Sequence, residues 1–199
     1  RSDQEGDVNI TLDCMPEDYV DEVYGGAANA TINGNVTLTV TSGKFGKVFG
    51  GNDRGGSING TITVYVKEEG CEDLEIGELY GGGNLAPYSK YGCYQNASTG
   101  EWIANQETPG NLKVTFDENE QYPYHVRVFV ESCTSIGRIF GGGLGSTAKV
   151  TGDTYVNVNM MYGSVDGKPA KTSVGRIGQV FGGGKLAPVR GNAVIDIGT

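Results

Sequence analysis

The chain has one histidine, His125, the side chain best suited to acid–base chemistry near neutral pH. His125 stands beside Tyr124, where a predicted strand begins, and the sequence identifies no catalytic partner for it. A Ser-His-Asp arrangement would depend entirely on this residue. No G-x-S-x-G, P-loop or H-E-x-x-H pattern is present. We therefore predict no catalytic residue, and the sequence favours a non-enzymatic protein.

Carboxylates are the next candidates, because they can bind calcium or act in pairs in a glycosidase. They cluster between Glu68 and Asp73, in a corner of the predicted fold, and between Asp117 and Glu120, in a long insertion. Asn52-Asp53 could also offer oxygen atoms to calcium. These groups do not recur from repeat to repeat, and charge runs in loops are usually solvated. We predict no metal site and no cofactor.

The long insertion, at about 88–122, contains the only tryptophan of the chain. Its candidate ligand-binding residues are Trp102, Tyr88, Tyr91, Tyr94 and Tyr122. Aromatic faces with amides nearby suit contacts with sugars or peptides, and long loops on a regular scaffold are often functional. The alternative is a small hairpin that packs these rings against the side of the fold. The candidate partners are accordingly a glycan or a host or cell-surface protein.

Three cysteines, Cys14, Cys71 and Cys133, follow the same type of predicted strand, whereas Cys93 lies in the long insertion. Cys71 and Cys133 belong to neighbouring repeats, and the ~4.8 Å between paired strands falls within the Cα range of a disulfide. We predict a bridge between these two, with buried free thiols as the alternative. A bridge would favour an oxidising, extracytoplasmic setting. No Cys-x-x-Cys pair is present that would indicate zinc.

The positions of all these residues depend on a sequence repeat, which is the strongest signal in the sequence. One motif reads apolar, usually Gly, variable, apolar, aromatic, Gly, Gly, and it occurs at 20–26, 45–51, 76–82, 136–142 and 177–183. The second motif has apolar residues at every second position, usually after an apolar-polar-Gly lead-in. It predicts strands that start at residues 8, 36, 62, 126, 154 and 193. Such alternation is typical of strands with one buried face.

The spacing of these starts gives a base period of about 26–28 residues. The two longer intervals hold the long insertion and a short one at about 160–174. Each repeat has three short strands and Gly-rich corners, where glycine permits positive φ and tight turns. No repeat can bury its apolar face alone, so stacking is required. We predict an all-β, right-handed parallel β-helix (β-solenoid) of about five rungs, in one domain over 1–199, with a Gly-rich sandwich as the alternative.

Two columns of side chains follow from this stacking. The residues between the two apolar positions of the first motif should point outward, and the first four alternate in charge, which favours correct neighbours; they are Glu22, Lys47, Glu78, Arg138 and Gln179. The aromatic residues of the motif should stack and fix the register, or else present rings to a glycan; they are Tyr24, Phe49, Tyr80, Phe140 and Phe181.

Composition excludes several classes of protein. Glycine supplies 34 of the 199 residues, and 24 Asp and Glu against 15 Lys and Arg give a formal net charge of -9. This charge argues against nucleic acid or an anionic membrane as partner, because both need a basic face. No apolar run approaches the ~20 residues of a membrane helix, and the glycines do not follow the collagen period. We therefore expect no transmembrane segment.

The rhythm of Val48-Phe49-Gly50-Gly51, followed by spaced glycines and alternating valines, resembles the glycine-rich β-helix repeats of large bacterial (Bacteroides-type) cell-surface proteins. The resemblance covers the chain outside its two insertions. It implies an adhesin-like, extracytoplasmic protein, at the cell surface or secreted. Other β-helices bind or cleave polysaccharides, which makes a carbohydrate protein with its site beside the long insertion the alternative. A third hypothesis is end-to-end self-association through open strand edges.

Overall fold

The computed structural model describes residues 3–13, 19–69, 72–89, 125–159 and 174–198, and the backbone alone of 93–95 and 102–104. Strands contain 56% of these residues, and none of these residues lies in a helix. The described part of the chain is therefore all-β, as the alternating apolar pattern predicts. Nothing in it forms a helix long and apolar enough to cross a membrane.

The two sequence motifs mark two kinds of strand. In chain order the strands are β1 (Gln4–Glu5), β2 (Val8–Leu12), β3 (Tyr19–Tyr24), β4 (Ile32–Asn33), β5 (Val36–Val40), β6 (Gly43–Phe49), β7 (Ile62–Lys67), β8 (Leu74–Tyr80), β9 (Tyr88–Ser89), β10 (Cys93–Gln95), β11 (Trp102–Ala104), β12 (Val126–Ser132), β13 (Ser135–Phe140), β14 (Val150–Thr151), β15 (Thr154–Val158), β16 (Arg176–Phe181), β17 (Val189–Arg190) and β18 (Ala193–Ile197). The six predicted strand starts are all confirmed. Each strand of the first motif ends at the aromatic residue, directly before Gly-Gly.

Strands at equivalent positions of successive repeats pair in parallel, so the order in each sheet follows the order in the chain. The first sheet is β2-β5-β7-β12-β15-β18, and the second is β3-β6-β8-β13-β16. A third, shorter sheet is β9-β14-β17. The strand β1 pairs with β4, and Ile32 of β4 bridges to Ile58. The strands β10 and β11, inside the long insertion, form an antiparallel pair.

The main core lies between the first two sheets. Leu38, Val64 and Val128 of the first sheet are fully buried and belong to one cluster with Val48 and Leu79 of the second. In-register pairing puts Leu38 beside Val64, and Val64 beside Val128. Burial of each such side chain stabilises the fold by about 1.5–3 kcal/mol. A slip of one residue would turn the apolar side chains of a strand to the opposite face, so this pattern fixes the register.

Glycine occupies the second position of the first motif because neighbouring strands approach closely there. A Cβ at Gly77 would lie 2.6 Å from the carbonyl oxygen of Gly46. The Gly-Gly corners are tight in the same way, since a Cβ at Gly81 would lie 2.5 Å from the carbonyl oxygen of Gly141. The glycines of these Gly-Gly corners do not use the positive φ that glycine permits. Among the described glycines, positive φ occurs at other sites, namely Gly6, Gly43, Gly56, Gly152 and Gly175.

A two-residue link leads into most strands of the first sheet. The links are Gly6-Asp7, Gly34-Asn35, Gly60-Thr61, Gly152-Asp153 and Gly191-Asn192. Between β9 and β12, residues 90–125 replace the two-residue link. The strands on both sides of them keep their register, because Tyr88 pairs with Val150 and Val126 pairs with Ile62. The structure therefore places Tyr88 in the third sheet, in register with its neighbour.

Candidate functional site

The five motif aromatics form one continuous stack along the second sheet. Successive rings have centroids 4.8–4.9 Å apart and planes within 5–10° of parallel; they are Tyr24, Phe49, Tyr80, Phe140 and Phe181. The three middle rings are buried. The prediction of an aromatic stack is confirmed, and its role in fixing the register stays a prediction. Because the middle rings are covered, the stack does not present a continuous aromatic surface to a glycan.

The residues predicted to alternate in charge are neighbours on the second sheet. Lys47 pairs in register with Glu22 on one side and Glu78 on the other. Its Nζ donates a hydrogen bond to Glu22 Oε1 at 2.6 Å, and Arg138 Nη2 lies 2.5 Å from Glu78 Oε1. The predicted alternation is thus confirmed by direct ion pairs. Glu78 lies on the same face as Lys47 and Arg138, but it is buried, and Lys185 contacts its carboxylate.

Three side chains hold the Glu78 carboxylate. Tyr80 Oη donates to Oε2 at 2.5 Å, Lys185 Nζ donates to Oε1 at 2.9 Å, and Arg138 completes the group. Burial raises the pKa of Glu78, but the hydrogen bonds and positive charges of these partners outweigh burial, so the pKa lies below its ordinary value. Burial, together with the Glu78 charge, raises the pKa of Tyr80. The site is therefore ionised at Glu78 and protonated at Tyr80 at neutral pH.

Replacing Glu78 by glutamine should lower the free energy of unfolding by about 1.5 kcal/mol at pH 7, because hydrogen bonds to a charged group are lost. The folded pKa of Glu78 is lowered, so its contribution is full above the ordinary value of 4.5 and is lost as pH falls through the folded pKa. The difference between the parent chain and Glu78→Gln should therefore shrink below about pH 4.5. Urea denaturation across this pH range measures it.

Glu75 provides the matched control for this pH prediction. It lies on the same strand and forms an ion pair with Lys44, in which Glu75 Oε1 lies 3.1 Å from Lys44 Nζ. Both side chains are exposed. Exposed pairs contribute little, so Glu75→Gln should change the free energy of unfolding only slightly at either pH. A Glu78→Gln difference that stays constant from neutral to acid pH would contradict the ionised, multiply hydrogen-bonded carboxylate.

A shallow groove of about 880 Å³ runs along the same face of the second sheet. Its lining consists of Tyr19, Val20, Asp21, Glu22, Gly46, Lys47, Glu78 and Lys185. Tyr19 contributes an exposed ring. In this lining Lys47 pairs with Glu22 and Lys185 pairs with Glu78, so these charges offer hydrogen-bond donors and acceptors rather than an activated base. Sequence patterns did not identify this groove, since Lys185 comes from a corner outside both motifs.

The candidate ligand-binding residues of the insertion are only partly described. Tyr88 is buried in the third sheet, where its Oη donates to the carbonyl oxygen of Gly60 at 2.7 Å. The backbone places Tyr94 in β10 and Trp102 at the start of β11. The remaining candidates, Tyr91 and Tyr122, lie outside the described residues, as does the acidic run 117–120. The antiparallel pairing of β10 with β11 agrees with a hairpin in the insertion.

Cys133 lies directly after β12 and is buried in the main core. Its Sγ donates to the carbonyl oxygen of Val174 at 3.0 Å. Burial, and then the charge of Glu68, raises the pKa of this thiol to about 12. Cys14 and Cys71 lie outside the described residues, so the Cys71–Cys133 bridge stays a prediction.

His125 has a structural contact at the entrance to β12. It is buried, and its Nδ1 accepts a hydrogen bond from the backbone N–H of Asp153 at 3.1 Å. Asp153 repeats the arrangement one strand further on, because its Oδ1 accepts from the backbone N–H of Asn192 at 2.6 Å. Asp7 does the same for Asn35 at 2.7 Å. His125 thus occupies an acceptor position that aspartate fills in other repeats.

The oxygens suggested as calcium ligands link neighbouring corners. Asn52 Oδ1 accepts from the backbone N–H of Ala27 at 2.8 Å, and Asp53 Oδ1 accepts from Asn84 Nδ2 at 2.9 Å. Within the ranges that the structure describes, no three His, Cys, Asp or Glu side chains form a group that could hold a metal ion. These side chains therefore have a visible structural role in joining one repeat to the next.

No protein-family model matches this chain, and neither the curated proteins nor the solved structures contain a match. The class of protein is accordingly defined by the molecule itself. The described part of the chain is all-β, and the strands of its three main parallel sheets follow one another in chain order.

Proposed function

We propose that the three sets of parallel strands are the faces of a right-handed β-solenoid of about five rungs, with three short strands in each rung. The strand order supports this, because every repeat adds one strand to the same edge of the first and second sheets. The ring spacing of 4.8–4.9 Å along the aromatic stack matches the ~4.7–4.9 Å between neighbouring strands. A sandwich would instead be built mainly from antiparallel neighbours.

On this scaffold the chain acts as a non-enzymatic, adhesin-like protein of the bacterial cell surface or the secreted fraction, presenting loops for binding. The insertion at residues 90–125 is the observation that carries this proposal. It replaces a two-residue link, yet the strands before and after it stay in register with their neighbours. A scaffold that keeps its pairing around so long a loop is suited to displaying it, and such loops commonly carry binding residues.

The proposed ligand is a glycan or a protein of another cell surface. The aromatic residues of the insertion beyond the third sheet are the proposed contacts, namely Trp102, Tyr91, Tyr94 and Tyr122. Aromatic rings give a large contact area with little loss of conformational freedom, which suits both kinds of ligand. Tyr88 supports the base of the insertion, because its buried hydroxyl is bonded to Gly60.

Replacing residues 90–124 by a single glycine, to give Ser89-Gly-His125, should leave the scaffold folded. The replacement restores the two-residue link of the other repeats. Closing this shorter loop costs about 2–3 kcal/mol less free energy, in lost chain entropy, than closing the long one. We expect the free energy of unfolding, measured by urea denaturation, to equal or exceed that of the intact chain. Loss of cooperative unfolding would contradict the proposal, because the insertion would then be part of the scaffold.

The same variant separates binding from folding. The intact chain, the Ser89-Gly-His125 variant and Trp102→Ala are compared on a glycan array and on whole host cells. Binding by the intact chain that the shortened variant loses supports loop display, and equal binding by both overturns it. Sugar binding that Trp102→Ala also loses favours the carbohydrate alternative, with its site beside the insertion. Release of oligosaccharides from a polysaccharide would overturn the non-enzymatic assignment.

A further inference from the structure

His125 is hydrogen-bonded to the segments on both sides of it at the point where the chain enters β12. Its carbonyl oxygen accepts a hydrogen bond from the backbone N–H of Ile62 at 2.9 Å, and its own N–H donates to the carbonyl oxygen of Asp153 at 3.2 Å. Its side chain adds a second bond to the same residue, because Nδ1 accepts from the N–H of Asp153 at 3.1 Å. Two hydrogen bonds between His125 and Asp153 therefore join the start of β12 to the start of β15.

The imidazole ring of His125 is enclosed in the fold. The residue is 1% exposed. Its ring packs against the backbone of Gly152, where a Cβ would lie 2.8 Å from Nδ1 and 3.3 Å from Cγ. A side chain at position 152 would displace the ring, so glycine at this position permits the contact between Nδ1 and the N–H of Asp153.

This geometry fits only the neutral form of the ring. A ring nitrogen accepts a hydrogen bond through its lone pair, so Nδ1 is unprotonated and the proton of the neutral imidazole is on Nε2. A second proton would have to be added at Nδ1, where it would point at the N–H of Asp153. Protonation therefore leaves a buried N–H without its acceptor and places a charge in a buried site, and both changes are unfavourable.

The described elements around His125 carry three titratable or charged groups, namely Tyr88, Arg127 and Asp153. The Tyr88 hydroxyl lies 3.4 Å from the His125 carbonyl oxygen and is uncharged at neutral pH. Arg127, two positions along β12, opposes a second positive charge, and the carboxylate of Asp153 favours one. That carboxylate is directed to the next repeat, where its Oδ1 accepts from the N–H of Asn192 at 2.6 Å. Burial and the loss of the Nδ1 hydrogen bond therefore decide the balance against protonation.

Other repeats use acceptors without this sensitivity. Asp7 Oδ1 accepts from the N–H of Asn35 at 2.7 Å, and Asn35 Oδ1 accepts from the N–H of Thr61 at 2.9 Å. Aspartate carboxylates are ordinarily ionised throughout the range from pH 5.5 to 7.5, and amides do not titrate, whereas histidine changes its charge in this range. Of these described acceptors, His125 is the one that responds to mild acid.

We propose that His125 makes the scaffold sensitive to mild acid at one place, the junction between β12 and β15 where the chain returns from the long insertion to the first sheet. With a neutral ring the junction is closed by the two hydrogen bonds to Asp153. Protonation removes one of them and weakens the junction, while the corresponding acceptors of the other repeats are unchanged. The inference goes beyond the proposed function and does not depend on the ligand of the insertion.

The direction of the pH effect follows from the protons bound by each state. In an unfolded chain a histidine takes up its proton with an ordinary pKa of about 6.5. The folded chain takes up this proton less readily, so the unfolded state binds more protons as the pH falls below that value. The contribution of His125 to stability is therefore full above about pH 6.5 and decreases at lower pH.

Nuclear magnetic resonance of the whole 199-residue chain, prepared without a histidine tag, tests the protonation state directly. The chain has a single histidine, so its imidazole signals need no further assignment. At pH 7.5 the nitrogen spectrum should show Nδ1 unprotonated and Nε2 protonated, and the ring signals of the folded chain should not titrate between pH 7.5 and 5.5. A proton on Nδ1 at pH 7.5, or a titration midpoint near pH 6.5 in the folded chain, would overturn the inference.

Urea denaturation tests the consequence for stability. The unfolding equilibrium constant of the parent chain should rise about tenfold between pH 7.5 and 5.5, as expected for a group with a pKa of about 6.5 that stays neutral in the folded chain. His125→Asn is the matched variant, because Asn35 supplies the same acceptor in its own repeat. The variant should lack this tenfold component, while any response of other groups is common to both chains. An equal rise in parent and variant would overturn the inference.

The two measurements remain decisive if the variant fails to fold, because the ring signals are recorded on the parent chain. Neither measurement uses the Ser89-Gly-His125 variant or a ligand. A negative result therefore removes the acid-sensitive junction and leaves the display of the insertion standing, whereas a failure of loop display does not change the protonation state of His125.

Discussion

Phe49→Ala should lower the free energy of unfolding by about 3–5 kcal/mol. The ring of Phe49 is fully buried and lies between those of Tyr24, at 4.9 Å, and Tyr80, at 4.8 Å. The substitution removes two stacking contacts, each worth about 0.5–1.5 kcal/mol beyond buried area. It also leaves a cavity that the hydrogen-bonded strands on either side cannot close. Equilibrium urea denaturation at neutral pH gives the value.

Phe181→Ala is the matched control, since Phe181 holds the same motif position at the end of the stack. Its ring is partly exposed and, among the described residues, stacks on Phe140 alone, at 4.8 Å. With about half the contact and no enclosed cavity, its replacement should cost about 1 kcal/mol. Equal costs at the two positions would mean that the interior of the stack is no better packed than its end, and the stack would lose its role in fixing register.

Sequence predicted the strands well because their signal is local. The alternation Val36, Leu38, Val40 shows which side chains are buried without reference to any distant residue, and the six strand starts agree with the structure. Register followed from the repeat, because equivalent residues of successive repeats pair, as Leu38 does with Val64. The strands and their register follow from the repeat period, and they could therefore be predicted from the sequence.

The polar contacts were harder to predict from the sequence, because they join residues that the repeat does not place at equivalent positions. Lys185 reaches Glu78 across 107 positions of the chain from a corner loop, and nothing in either motif marks it. His125 takes an acceptor position that Asp153 fills in its repeat, but the glycine that would have revealed the equivalence is absent before His125. The sequence therefore predicted the rows of equivalent side chains along the sheets, but not the side chains from other segments that contact them.

Glycine at the Gly-Gly corners reports contact between repeats, which Gly51→Ala tests directly. A Cβ at position 51 would lie 2.8 Å from the backbone nitrogen of Gly83 and 3.0 Å from the carbonyl carbon of Gly82. Both are backbone atoms, so no side-chain rotation relieves the clash. The corners must separate, which weakens the 3.1 Å hydrogen bond from Gly51 N–H to the Gly82 carbonyl. We expect a loss of about 3 kcal/mol in the free energy of unfolding, measured in urea.

Gly183→Ala places the same methyl group at the same motif position of the last repeat. A Cβ there would meet nothing within 4 Å, so the change should stay within about 0.5 kcal/mol of the parent. Any conformational freedom that alanine removes from the unfolded chain is removed equally at positions 51 and 183, because the local sequence is alike. The difference between the two variants therefore isolates the neighbouring repeat as its cause. Equal losses would instead assign this glycine a role within its own repeat, and the Gly-Gly pair would no longer indicate stacking.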